Sequence, residues 1–250
     1  MFNATTSLRQ VKFLGVRYHN LMLGEAMITA LGMLDRGERS DIFFLNADGV
    51  RLAQNDKEYR TALNDAELVL SDGIGLRLLT KLNGGRMRDN CNGTDFSPQL
   101  IAQAALRGYS LYLLGGKPGV AEKAADNLSQ IIRGLKIAGT SDGYFQDDKK
   151  MVEHINASGA DILFVAMGAP KQEKWIASHR RDLKPRMCLG VGALLDYFSG
   201  AIHRAPQWMV HSNLEWFWRI FIDPKRMFKR YIIDDMGFLL GVLFFLNHSK

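Results

Sequence analysis

Asp72 stands between two apolar stretches. Leu68-Val69-Leu70 reads as a buried strand, and the apolar residues from Ile74 to Leu79 return at helical spacing. The turn between them needs a glycine, here Gly73, but it does not need an acid. A carboxylate at the carboxyl end of a strand lies where open α/β sheets keep their ligands, and general-base chemistry suits it there. An Asx-turn or a helix cap is the competing reading of Asp72, and spacing alone favours it.

Three further polar clusters hold the same kind of place. Asn46-Ala47-Asp48 follows the apolar run ending at Leu45. Gly115-Gly116-Lys117-Pro118-Gly119 is a glycine-rich turn opening a helix, where backbone N–H groups can cradle a diphosphate. It matches neither the Walker A sequence nor G-x-G-x-x-G, and a tight turn without a ligand explains it nearly as well. Gly168-Ala169-Pro170-Lys171-Gln172-Glu173 follows a fourth run. Pro170 suits a first helical position, and Lys171 and Gln172 can point a cation and an amide into a crevice. Read plainly, these are solvated residues of a first helical turn, with Glu173 favoured there by the helix dipole. Four such clusters carry more weight together than any one alone.

The elements that must position them emerge from the pattern. Apolar runs at 11–16, 41–46, 67–72, 110–116, 161–168 and 187–193 suit strands covered on both faces. Helical periodicity occupies 24–35, 48–63, 94–107, 118–133, 147–157 and 170–181. The alternation predicts an α/β fold with a doubly wound, largely parallel, Rossmann-like sheet. We expect a core over 1–204 and a C-terminal helical, membrane-proximal appendage over 205–250, where the composition turns aromatic and basic. Asp223-Pro224 reads as an N-cap followed by Pro at N1. After it, Lys225, Arg226, Lys229 and Arg230 fall opposite Met227, Phe228, Tyr231 and Ile232, as on a helix at an anionic lipid surface. A surface helix packing its apolar side on the core is the alternative. The apolar run 236–246 falls short of the ~20 residues a span needs.

Composition narrows the classes. The 250 residues are 47% hydrophobic and carry a net charge of +6, which suggests a polyanionic partner such as nucleic acid, an anionic membrane or a phosphorylated substrate. Cys91 and Cys188 make no metal or redox spacing and read as small buried residues of a protein in a reducing cytoplasm. The first ten residues contain no apolar signal-peptide core, so a cytoplasmic location is expected. The six histidines lack zinc spacing, no G-x-S-x-G elbow occurs, and no Asp-x-Asp is present to hold a divalent ion on a sugar nucleotide. A departing diphosphate then needs Arg, Lys or backbone donors.

Several ordered blocks are recognisable: ALNDAELVLSDGIGL, NGTDF, LYLLGGKPGVAEKAADNL, DGYF, INASGADILFVAMGAPKQEKWI, GVGALLDYFSG with HRAPQWM, and LEWFWRIFIDPKR. Together, over about Gly15 to Tyr231, they resemble the WecG/TagA/CpsF glycosyltransferase family. The resemblance implies an inverting, metal-independent transfer from a UDP-sugar to a polyprenyl-diphosphate-linked saccharide, with no cofactor and no nucleic-acid partner. The enzyme would be peripheral on the inner face of the cell membrane, against an anionic surface. It implies Asp72 as catalytic base, with Asn46 beside it and Gln172 in the pocket. Arg219, Arg226 and Lys229 match basic residues that close over the diphosphate, Lys229 offering a point charge where the family often has Arg. Gly73, Gly115, Gly116 and Lys171 complete the expected substrate-binding set. Two departures bear on the sugar: Phe44 stands where some members have Thr, and the arginine expected just before Gly93 is absent, with Arg86 and Arg88 the nearest replacements. The ending resembles the exopolysaccharide branch, so UDP-glucose is the expected donor, with UDP-N-acetylmannosamine and its uronate as alternatives. A nucleotide-cofactor oxidoreductase and a non-enzymatic basic protein are the rivals, and neither accounts for the ordered blocks.

Overall fold

The computed structural model describes residues 9–212 and 214–248, without the side chains of a few C-terminal residues. In chain order the elements are β1 (Gln10–Phe13), β2 (Val16–His19), α1 (Leu23–Asp35), β3 (Ser40–Leu45), α2 (Ala47–Asn55), α3 (Lys57–Asp65), β4 (Leu68–Ser71), α4 (Gly73–Leu82), α5 (Gly93–Leu106) and β5 (Ser110–Gly115). They continue with α6 (Val120–Ile131), β6 (Lys136–Ser141), α7 (Asp148–Ser158), β7 (Ile162–Ala166), α8 (Lys171–His179), β8 (Met187–Gly190) and α9 (Leu194–Ser199). The C-terminal stretch holds α10 (Gln207–His211), α11 (Glu215–Ile222), α12 (Pro224–Phe228), a π-helical stretch (Lys229–Asp235) and α13 (Met236–His248).

The strands form one eight-stranded sheet in the order β1-β2-β4-β3-β8-β7-β5-β6, parallel except for the β1–β2 pair. Alternation along the strands fixes which helices cover each face. Ile42, Leu68, Leu111, Phe164 and Leu189 pack with α1, α5, α6 and α9. Their neighbours Phe43, Val69, Tyr112, Val165 and Cys188 face α2, α3, α4, α7 and α8. With both faces buried, the strands carry the near-continuous apolar runs of the sequence. Both cysteines are buried, and burial pushes each thiol up to about 12.

Three local differences from the expected elements have physical causes. The run 11–16 is a hairpin, because Leu14 and Gly15 take positive φ and turn the chain inside an apolar stretch. The helix expected over 48–63 breaks at Asp56, which leaves helical geometry and accepts a hydrogen bond from the Tyr59 N–H to start α3. Strand β6 was not expected, since an edge strand half open to solvent needs no apolar run.

No described helix is long and apolar enough to cross a membrane. The tail forms α13, whose Val242 is buried in the core with Phe238 and Leu239 packed against it, while Met236, Leu240 and Leu243 are exposed.

Candidate active site

A cleft of about 1190 Å³ runs along the carboxyl ends of the strands. It exceeds the ~300–1,000 Å³ typical of a pocket for one small ligand. The chain crosses from β4 to β5, in the other half of the sheet, and leaves the strand ends open where the winding reverses. The C-terminal helices α11 and α12 and the π-helical stretch lie along the same cleft, which Glu215, Arg219, Ile222, Met227 and Lys229 line from that side.

Strands β3 and β4 pair in register, Leu45 opposite Ser71, so the next residues along each strand, Asn46 and Asp72, emerge side by side. The Asp72 N–H donates to the Leu45 carbonyl at 2.8 Å, which fixes that adjacency. Close approach of α4 to α2 adds to it: a Cβ on Gly75 would lie 2.7 Å from Ala47 Cβ, so only glycine permits this spacing. Asp72 takes the N-cap position of α4, yet its side chain makes no capping bond. The Gly73 N–H donates instead to Asn90 Oδ1 at 2.8 Å, so a side chain from the loop before α5 serves the helix start. The cap reading of Asp72 therefore fails, and the residue lines the cleft.

Asn46 does cap its helix: Oδ1 accepts from the Gly49 N–H at 2.9 Å. This fixes the acceptor end of the amide on the helix, and Asn46 lines the cleft. Next to it, Arg51 donates to the Asp48 carboxylate at 2.6 Å, both within the cleft wall.

The glycine turn after β5 has a steric basis. A Cβ on Gly115 would sit 2.3 Å from the Ala166 carbonyl oxygen, and one on Gly116 would meet Val120 at 2.6 Å. Gly116 and Lys117 line the cleft, whereas Gly115 and Gly73 are not among its lining residues. Lys171 reaches the cleft with Nζ 3.4 Å from the Gly143 carbonyl and 6.0 Å from the Phe145 ring centroid. Pro170 occupies the N-cap position before α8, one residue earlier than expected, after a cis peptide bond.

Gln172 touches the cleft wall, but its polar atoms serve the protein. Oε1 accepts from the Gly168 N–H at 3.1 Å and the Gly192 N–H at 2.9 Å, and Nε2 donates to Glu173 Oε1 at 2.8 Å. Glu173 is buried, its Oε2 has no hydrogen-bond partner among the described residues, and burial pushes its carboxyl up to about 7. The side chain placed in the crevice by sequence reasoning is thus a strut between two strand-end loops.

Arg219 projects from α11 over the Tyr197 ring at 5.9 Å and lines the cleft, as does Lys229. Arg226 belongs to α12, and its side chain lies outside the described residues. Arg88 does not replace the missing arginine: it pairs with Glu25 on α1. Phe44 lines the cleft beside Gly93, its ring edge-on to Phe96 at 5.8 Å. Asn92, Thr94, Asp196 and Tyr197 also line it without having been singled out. Asp196 and Tyr197 come only a few residues after the run 187–193, so the strand-end rule that found Asp72 reaches them if extended past the first turn.

The family model described as the glycosyl transferase WecG/TagA/CpsF family matches residues 11–249. Among relatives, an N-acetylglucosaminyldiphosphoundecaprenol N-acetyl-beta-D-mannosaminyltransferase of Bacillus subtilis (strain 168) is 35% identical over 174 residues, covering 70% of this chain and 68% of that protein. A protein of the same name from Bacillus spizizenii is 31% identical over 194 residues, covering 77% and 75%.

Proposed function

The chain belongs to the WecG/TagA/CpsF family and is a glycosyltransferase; from that premise we propose that it moves a hexosyl group from a UDP-sugar to a saccharide carried on a polyprenyl diphosphate. The observation that carries this reading is Asp72 beside Asn46 on paired strands, with cations across the cleft. The acceptor hydroxyl oxygen attacks the anomeric carbon while the bond from that carbon to the UDP oxygen breaks. The hydroxyl proton passes to the Asp72 carboxylate, and the electron pair leaves on the diphosphate with inversion at the sugar. Lys171, Arg219, Arg226 and Lys229, with the backbone at Gly116, meet the charge on the leaving group without a metal ion.

We take N-acetylmannosamine as the transferred sugar, because both relatives are named for that transfer. Glucose is the second reading, favoured by Phe44, whose ring puts an apolar wall in the cleft. The C-terminal stretch supports work at a lipid surface: Trp208, Phe221, Phe228 and Leu240 are each more than half exposed, and Lys225 and Lys229 of the same stretch are exposed too. Aromatic and basic residues combined in this way suit an anionic interface. The deciding experiment is a screen in EDTA with UDP-N-acetylmannosamine, its uronate and UDP-glucose, each offered with a lipid-diphosphate-linked N-acetylglucosamine. Acceptor-dependent UDP release with the first donor supports the reading; release with glucose alone replaces the sugar, and release without acceptor removes the transferase step.

A further inference from the structure

Arg204 lies between α9 and α10, where the core gives way to the appendage. Its guanidinium makes two separate ion pairs. Nη2 donates to Asp95 Oδ1 at 2.6 Å, on the first turn of α5. Nε donates to Glu215 Oε1 at 3.0 Å, at the first residue of α11. All three side chains are about one-third exposed or less, so the pairs are partly shielded from water.

Each end of this bridge is itself anchored. The other oxygen of Asp95 accepts from Asn92 Nδ2 at 2.7 Å, and Asn92 Oδ1 accepts from the Asp95 N–H at 2.9 Å. On the far side, Trp218 Nε1 donates to the His203 carbonyl at 3.0 Å, tying α11 to the residue just before Arg204. One turn along α11 from Glu215 comes Arg219, held over the Tyr197 ring at the cleft. Residues four apart share one side of a helix, so the Glu215 pairing sets the rotation that aims Arg219.

We propose that Arg204 is a positioning residue, clamping α11 to α5 so that Arg219 faces the leaving diphosphate. The second half of this inference rests on the transferase reading above. A planar fork that serves two carboxylates at once is a task for arginine, which a lysine ammonium does not reproduce. Without the guanidinium, Asp95 and Glu215 repel, and α11 loses both its tether and its rotational setting.

The test uses the full-length protein. In Arg204→Gln, amide hydrogen exchange across 215–222 should rise at least about tenfold while exchange in β3 and β7 stays at the wild-type level. Turnover with the productive donor should fall on the order of 10²-fold in kcat, with a smaller change in KM. Glu215→Gln, which leaves the Arg204–Asp95 pair in place, should give the same pattern and serves if the first variant does not fold. In an Arg219→Gln background, Arg204→Gln should cost little more, whereas a full additional loss would mean that Arg204 does not act through Arg219. Unchanged exchange in both variants overturns the clamp, and raised exchange with unchanged kcat overturns its role in positioning. Should the wild type turn over no donor, the transferase reading fails while the exchange measurement still decides the clamp.

Discussion

Gln172 Oε1 accepts the Gly192 N–H at 2.9 Å, so a side chain at the start of α8 holds the loop after the neighbouring strand β8. The same oxygen takes the Gly168 N–H, and the two loops it joins form one wall of the cleft. Gly190 leaves just enough room: a Cβ there would stand 3.1 Å from Gln172 Nε2.

Gln172→Ala should therefore destabilise the fold by about 2–4 kcal/mol, because two backbone N–H groups beneath the cleft lose their acceptor. Urea unfolding measures this as a lower midpoint at unchanged slope. A midpoint equal to wild type would mean that the two loops hold themselves.

Glu173 gives the protein a pH signature. Its folded pKa of about 7 lies above the 4.5 of the free group, so between these values the folded state holds a proton that the unfolded state has lost. Its contribution to stability thus falls as pH rises from 4.5 to 7 and levels off above, by roughly 3 kcal/mol in all. Glu173→Gln, neutral throughout, should lack this descent. Parallel stability curves for the two proteins from pH 5 to 8 would show that Glu173 is ionised across the range.

Gly75→Ala tests the approach of α4 to α2. Alanine would gain about 1 kcal/mol in helix propensity, but its Cβ would stand 2.7 Å from Ala47 Cβ, which is fixed to the backbone. Overpacking of this kind costs about 1–3 kcal/mol, so the substitution should be neutral to destabilising. It should also lower turnover by separating Asp72 from Asn46. A more stable, fully active variant would contradict the contact.

The appendage should bind anionic vesicles. Neutralising Lys225, Arg226, Lys229 and Arg230 should weaken partitioning by about 1 kcal/mol per charge at low salt. Sedimentation with vesicles of anionic and of neutral lipid measures it. Equal partitioning of wild type and the fourfold variant on anionic vesicles would assign the basic stripe another task.

The strand ends were legible because strands buried on both faces leave unbroken apolar runs, and all of these runs but 11–16 give way to loops that line the cleft. Asp72 and Asn46 were found that way. The features that escaped the sequence were mostly partnerships across distance. Asn90 takes the Gly73 N–H from 17 residues away and so relieves Asp72 of capping, and Gln172 turns inward to meet Gly192, 20 residues on. Neither spacing matches a helix or strand period. The hairpin at Leu14 and the edge strand β6 escaped for another reason, since their apolar content misstates their exposure.

The central claim is that Asp72 takes the acceptor's proton during sugar transfer, and Asp72→Asn tests it most directly. Purified full-length protein would be given the productive UDP-sugar and lipid-linked acceptor in EDTA, with UDP release followed and donor binding measured separately. The expected result is a loss on the order of 10²–10⁴-fold in kcat with donor affinity and folding near wild type. Turnover within a few fold of wild type would contradict the assignment and leave the carboxylate at the end of β4 without a catalytic role.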